Sequence, residues 1–170
     1  MLKAVGVLFI VTGACGFAIY FSSYLKTRLA QLIEWREIFT QLDNEREYLR
    51  LPYAQLLRKT ARGKAELFSA ILLEVADSME KRTQTDVSVF WEQAFERRSA
   101  QILLKEDEAD LLFALARSLL LEGDHSQVAK LYFMQLEDKI LLAMQEKKEK
   151  QKLYGTVSVL GGLFLVIMLL

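Results

Sequence analysis

Histidine and cysteine, the usual ligands of zinc, are each present only once in this 170-residue chain. His125 is the single histidine and Cys15 the single cysteine, whereas a metal site needs a larger set of ligands at suitable spacing. Cys15 also cannot form an intramolecular disulfide bond, because the chain has no second cysteine. We predict an ordinary loop position for His125 and no metal site.

Acidic side chains cluster at residues 105–110, in the sequence KEDEAD. Two neighbouring carboxylates could act as a general acid and a general base, but acids at the start of a helix also interact favourably with the positive end of its dipole. The sequence has no glycine-rich phosphate-binding loop and no GxSxG or HExxH motif. We therefore interpret the cluster as a solvated helix start, and we predict no catalytic residue and no cofactor.

Aromatic side chains occur at helical spacing among apolar neighbours. Phe90, Trp91 and Phe95 lie in the segment FWEQAF, and Trp35 lies in an earlier apolar run. Large aromatic rings contribute much of the apolar area in protein cores and interfaces. We predict that most of these rings belong to the core and that any others form a surface for a partner.

The elements that would carry these residues are helices. Between residues 26 and 152 the chain has one proline, Pro52, and two glycines, and its apolar residues recur every three or four positions. Turns are expected at Pro52, at Gly63, before residue 87 with Thr85 or Asp86 as the cap, near residue 105, and at Gly123 with Asp124 as the next cap. The pattern predicts an all-α antiparallel bundle of about six helices, at roughly 25–50, 52–61, 64–81, 87–102, 106–122 and 125–150, the last of which can continue into the C-terminal segment.

Both ends of the chain are uncharged and apolar, at residues 4–25 and 153–170. About 20 helical residues span a bilayer core, so both segments are predicted transmembrane helices. A cleaved secretory signal, and a lipoprotein signal with Cys15 as the lipidated residue, are the alternatives for the first segment. The sequence after Cys15 continues apolar, which favours an uncut anchor. Positive charges flank the inner boundaries, which predicts that the bundle, residues 26–152, faces the cytoplasm. They are Lys26, Arg28, Lys147, Lys148, Lys150 and Lys152.

Charge excludes one class of partner. Lys and Arg number 22 and Asp and Glu number 22, so the chain has no net basic character. Nucleic acids and anionic lipid surfaces attract proteins through basic patches. The composition therefore predicts no nucleic-acid partner.

Several segments, in their order along the chain, resemble the stage III sporulation protein AB family of endospore-forming Firmicutes. They are MLKAVGVLFIVTGACGFAIYFS at the N-terminus, RLAQLIEWREIFTQLDNEREYLRLPYAQLLRKTA as a first helical hairpin, FWEQAF, GDHSQ, and the Lys-rich run into GTVSVLGGLFLVIMLL. On the hairpin, Glu45 or Glu47 corresponds to a family acid, Tyr48 to an aromatic residue and Pro52 to a proline. Leu51 stands where the family often has threonine, and the sequence ALARSLLLEGD lacks the glycines that the family tends to carry there.

The resemblance implies a specific role. The cytoplasmic part of the family is similar to the six-helix domains of the F-type platform proteins of type II secretion and type IV pilus machines. By that likeness the protein would be a two-pass scaffold in the mother-cell membrane around the forespore, with its helical domain in the mother-cell cytoplasm. Its partners would be a cytoplasmic sporulation ATPase (the AA protein) and other proteins of the channel complex. Association with further copies of the same chain, as a homo-oligomer, is an additional alternative.

Two other classes of function remain at this stage: a membrane-anchored helical adaptor or regulatory protein, and a membrane enzyme. If the protein is a platform, we expect exposed charges of the bundle to make the working contact. The candidate patches are ERRSAQ at residues 96–101 and KEDEAD at residues 105–110.

Overall fold

The computed structural model describes residues 2–49, 51–81, 86–119 and 126–169. These residues form six α-helices and no strand, which confirms the predicted all-α fold. The helices are α1 (Leu2–Leu49), α2 (Tyr53–Ala61), α3 (Glu66–Glu80), α4 (Val87–Glu96), α5 (Glu106–Ser118) and α6 (Ser126–Leu169). The chain divides into two compact units, a terminal unit of Met1–Leu29 with Leu141–Leu170 and a central unit of Ala30–Ile140.

The first and last helices are long. Helix α1 begins at Leu2, so no break separates the segment at 4–25 from the helix predicted at 25–50, and α6 continues to Leu169 as expected. Both stretches lack proline, which would have interrupted the backbone hydrogen bonds. Within the described part of the chain, no helix is both long enough and apolar enough to cross a membrane. The membrane spans at 4–25 and 153–170 stay predictions.

In the terminal unit, α1 and α6 pair in opposite directions. The Phe21 ring meets the Tyr154 ring edge-on at 5.3 Å between centroids, and one guanidinium nitrogen of Arg28 donates to Glu146 Oε2 at 2.8 Å. Residue numbers rise along α1 as they fall along α6 between these two contacts, so the helices are antiparallel here. The Arg28 side chain is buried, and a buried guanidinium is stable only when a carboxylate compensates its charge.

The core of the central unit is built around aromatic rings. The Trp35 ring stacks on Phe95 at 5.1 Å and meets Trp91 edge-on at 5.9 Å, and both tryptophans are fully buried. Phe90 is buried as well, which confirms that the aromatic residues at helical spacing form the core. Aliphatic side chains from the five helices other than α4 complete it, among them Leu32, Ile38, Leu42, Leu56, Ile71, Leu72, Val75, Leu112, Leu115 and Leu136.

The turns between helices follow the predicted positions with some changes. Pro52 lies just before α2 instead of in its first turn, and its carbonyl accepts hydrogen bonds from the Gln55 and Leu56 amides. Gly63 has a φ of 88° after the end of α2, a left-handed conformation that favours glycine. Asp86 is the N-cap of α4, while Thr85 and the predicted turn at Gly123 and Asp124 lie outside the described residues.

Two predicted helix ends are wrong: α4 ends at Glu96, six positions before the expected residue 102, and α5 ends at Ser118, four positions before the expected residue 122. Residues 97–101 form tight turns, in which the amides of Arg98, Ser99 and Gln101 each bond to a carbonyl three positions earlier. A side chain of α1 binds the backbone that follows these turns.

Candidate partner-binding groove

The connection between α4 and α5 is held in place by the buried Gln31 of α1. Its Nε2 donates to the Gln101 carbonyl at 2.7 Å, and its Oε1 accepts from the Leu103 amide at 2.8 Å. Gln31 therefore satisfies two backbone groups outside the helices and fixes the position of the extended segment, residues 102–105, that leads to α5.

Both helices that flank this connection have N-terminal caps. Asp86 accepts from the amide of Ser88 at 3.1 Å and from its hydroxyl at 2.8 Å. These two hydrogen bonds, the hydroxyl first, lower the pKa of Asp86. At α5, Glu108 Oε2 accepts from the Lys105 amide at 2.9 Å, which explains why this acid is buried. The caps fix where each helix begins and hence which side chains face the space between them.

An open groove of about 740 Å³ lies between α4, the connecting segment and α5. Its apolar lining comes from all three elements: Val89, Phe95, Ile102, Leu104, Ala109 and Phe113. The Phe113 ring meets the Phe95 ring edge-on at 5.0 Å, which joins the two helices at the base of the groove. Polar lining residues are Glu92, Gln93, Glu96, Ser99 and Glu106.

The charge of this groove is negative. Glu92, Glu96 and Glu106 are exposed, and no ion pair joins any of them to a cation elsewhere in the described ranges. Glu92 and Glu96 are four positions apart on α4, a spacing at which like charges repel by a few tenths of a kcal/mol. No ion pair within the described ranges offsets this small cost.

Nearby cations bind elsewhere. Arg97 donates to Glu74 of α3 at 2.8 Å, and Arg98 pairs with the other oxygen of the same carboxylate. On α5, Asp107 pairs with Lys139 of α6, and this hydrogen bond lowers the pKa of Asp107. Since these pairs hold the arginines that follow α4, neither arginine forms an ion pair with the acidic rim of the groove.

A second cavity, of about 460 Å³, lies on the other side of Phe113 and shares Glu92 with the groove. Its lining includes both an acid, Asp110, and a base, Arg117. Arg117 also lies 3.8 Å from Asp86. This cavity is smaller and carries both charges, so it lacks the single-sign rim that distinguishes the groove.

The structure brings together parts of the two patches that the sequence suggested as contact surfaces. Glu96 and Ser99 of ERRSAQ and Glu106 and Ala109 of KEDEAD line the same groove. Of the other charged members, Arg97, Arg98 and Asp107 form the ion pairs described above, Glu108 forms the cap, and Asp110 lines the second cavity. Apolar lining residues such as Ile102 and Leu104 were not identified from the sequence, because their position depends on where α4 ends.

The hairpin residues that carry the family resemblance lie outside the groove lining. Tyr48 is 82% exposed and Pro52 is exposed. Glu45 Oε1 forms a salt bridge with Lys59 Nζ at 3.1 Å. The side chain of Glu47, the alternative acid, lies outside what the structure describes. Tyr48 and Pro52 therefore form an exposed corner between α1 and α2.

Residues considered for metal binding are not placed in a site. His125 and the side chain of Cys15 lie outside the described part of the chain. Among the residues that the structure describes, no group of three or more His, Cys, Asp and Glu side chains could hold a metal ion.

Comparisons with known proteins agree on one family. The family model described as stage III sporulation protein AB matches residues 3–170. Stage III sporulation protein AB of Bacillus subtilis (strain 168) is 23% identical over 175 residues, and the alignment covers all of both chains. A solved structure of a stage III sporulation protein AB has a TM-score of 0.64 at 21% identity, covering 72% of this chain and 98% of the other. At this identity the structural likeness supports the fold alone.

Proposed function

Because the chain belongs to the stage III sporulation protein AB family, we propose that it is a membrane platform of the channel complex between mother cell and forespore, whose helical bundle engages a cytoplasmic secretion-type ATPase. Membership of the family supports a role in sporulation. The platform role and the ATPase contact are the further steps of the proposal. In this role the protein is a scaffold and not an enzyme.

The groove between α4 and α5 is the observation that carries this proposal. It combines an apolar lining with exposed carboxylates that no cation of the described residues compensates. Protein interfaces typically have this composition, an apolar centre with a polar rim. A scaffold needs such a contact surface, whereas an enzyme needs a set of reactive groups.

The proposal includes a membrane topology. Residues 4–25 and 153–170 would cross the membrane, and the bundle would face the mother-cell cytoplasm, where an ATPase has its nucleotide. The support is the distribution of Lys and Arg at the inner boundaries, because positive flanking charges are retained in the cytoplasm.

The topology can be tested in vegetative cells that express the full chain, where one membrane separates the cytoplasm from the medium. Single cysteines at Ser99 and Gln127, both exposed positions, would be introduced in a Cys15→Ala background. We expect a membrane-impermeant thiol reagent to label them only after the membrane is opened. Lys3→Cys is the positive control, expected to react in intact cells. Labelling of Ser99→Cys in intact cells would place the bundle outside and remove the ATPase contact.

The ATPase contact is tested by purifying the tagged full chain from sporulating cells in mild detergent. We expect the sporulation ATPase and other channel-complex proteins to co-purify with it. A helical adaptor or regulatory protein, the alternative function, would instead be recovered with signalling partners and without the ATPase.

A further inference from the structure

We propose that the groove between α4 and α5 holds one positively charged amphipathic helix of the partner protein. This inference rests on the proposed function, because it takes the ATPase as the partner to be tested. It specifies the chemistry of the contact: apolar side chains of the partner helix would enter the groove, and its Lys or Arg side chains would meet the acidic rim.

The apolar lining favours a helix as the occupant. Lining residues come from both flanking helices and from the segment that joins them, with Phe95 and Phe113 at the base. An amphipathic helix binds such a groove by inserting apolar side chains at positions three or four apart. The polar lining outside the acids consists of Gln93 and Ser99, which offers few groups for the oriented hydrogen bonds that a small polar ligand needs.

The rim charges favour a positively charged helix. Glu92 and Glu96 lie one turn apart on α4, and Glu106 begins α5 on the facing wall. Cations on the partner would reduce the repulsion between Glu92 and Glu96 and would be drawn to the groove by its field. An acidic helix would add repulsion on both walls.

The neighbouring arginines explain why this charge persists. Arg97 and Arg98 directly follow Glu96, yet both pair with Glu74 on α3. The carboxylate of Glu74 is largely buried, so it stabilises the two guanidinium groups better than an exposed glutamate would. The two arginines that follow α4 are therefore bound to α3 and not to the acids of the groove.

A matched pair of double variants of the full chain tests the role of the rim. Glu92→Gln/Glu106→Gln removes two groove charges, one in mid-helix and one at the first position of a helix. The control, Asp138→Asn/Glu66→Gln, removes two exposed acids at the same kinds of position on α6 and α3, outside the groove. The readout is the affinity for the purified ATPase at low salt and at 0.5 M salt.

We expect the groove variant to bind the ATPase roughly 2- to 30-fold more weakly at low salt, since each exposed ion pair contributes about 0.2–1 kcal/mol. The difference should shrink at about 0.5 M salt because the screening length is then below about 5 Å. The control should bind as the wild type does. Helicity by circular dichroism should be equal in all three proteins. Equal affinity of the groove variant and the wild type would overturn the inference and leave the proposed function standing.

Photocrosslinking identifies the occupant directly. A benzoylphenylalanine at Ser99, on the groove wall, should crosslink to an ATPase segment that is helical, apolar on one face and rich in Lys or Arg. The same probe at Gln55, an exposed position on α2, should not reach that segment. Crosslinks from Ser99 to an acidic segment, to a second copy of this chain or to no protein would each refute the inference. Absence of the ATPase from the wild-type preparation would refute the proposed function as well, so the two failures are distinguishable.

Discussion

Replacement of Gln31 by leucine should both destabilise the central unit and loosen one wall of the groove. Gln31 is buried and satisfies two backbone groups, the Gln101 carbonyl and the Leu103 amide, which lie about 70 positions further along the chain. Leucine has a similar volume and can fill the same space, but it can form neither hydrogen bond. The substitution therefore isolates the polar contribution from the packing contribution.

The magnitude follows from the two orphaned groups. A buried donor or acceptor that loses its partner costs about 1–3 kcal/mol. The two hydrogen bonds are part-buried, so water can reach these groups in part and the lower end of the range applies. We expect Gln31→Leu to lower the free energy of unfolding by about 2 kcal/mol.

Urea unfolding of the full chain in detergent, followed by circular dichroism, measures this loss. Hydrogen–deuterium exchange of peptides that cover residues 101–104 reports the local effect, because the Leu103 amide should exchange faster in the variant. Gln41→Leu is the matched control: its Nε2 bonds to Glu45 one turn away on the same helix at 3.1 Å, so we expect a change of at most about 0.5 kcal/mol.

Gln31→Glu adds a test by pH. The carboxylate can still accept from the Leu103 amide, but it repels the Gln101 carbonyl, so the folded state should raise the pKa of this acid. A raised carboxyl pKa means that stability increases as pH falls and the acid becomes protonated, because the protonated group can donate to Gln101. The reasoning would be refuted if Gln31→Leu lost less than about 0.5 kcal/mol and kept full amide protection at 101–104.

Three further predictions concern the turns. Gly63→Ala should cost about 1 kcal/mol in urea unfolding, because the φ of 88° strains any residue with a Cβ although no atom lies within 4 Å of that position; no loss would mean that this backbone relaxes freely. Pro52→Ala should leave the bundle folded and lower its stability by about 0.4–1 kcal/mol, chiefly by freeing the unfolded chain, and complete unfolding would contradict this. Hydrogen bonds from Ser88 lower the pKa of Asp86. The stability that the Asp86 carboxylate contributes is therefore present above the pKa of the unfolded state and is lost as pH falls through the pKa of the folded state. Asp86→Asn keeps a capping side chain, so between pH 5 and pH 3 it should lose less stability than the wild type, and parallel pH profiles would contradict this.

Much of the fold could be predicted from local features of the sequence. Apolar residues repeat at three and four positions, and this period places Trp35, Trp91 and Phe95 on the inner faces of their helices. Pro52, Gly63 and Asp86 mark turns through their own backbone or capping chemistry. Such signals need no information about distant residues, and for that reason the number of helices and their class were predicted correctly.

Other features depend on pairs of residues far apart in the chain. The sequence of α4 is compatible with a helix to residue 102, but α4 ends at Glu96, and Gln31 of α1 binds the Gln101 carbonyl and the Leu103 amide beyond it. The early end turns Ile102 and Leu104 into a wall of the groove. A period in the local sequence carries no information about a competing hydrogen bond from another helix.

Charge shows the same division between sequence and tertiary structure. The sequence by itself determined that acids and bases are balanced and that two mixed patches follow one another at residues 96–110. Only the tertiary structure decided which of these charges form ion pairs. Glu74 pairs with Arg97 and Arg98, and Lys139 pairs with Asp107. The exposed acids of the groove are Glu92, Glu96 and Glu106. The physical reason is that the strength of an ion pair depends on distance and burial in three dimensions, and neither follows from the order of residues.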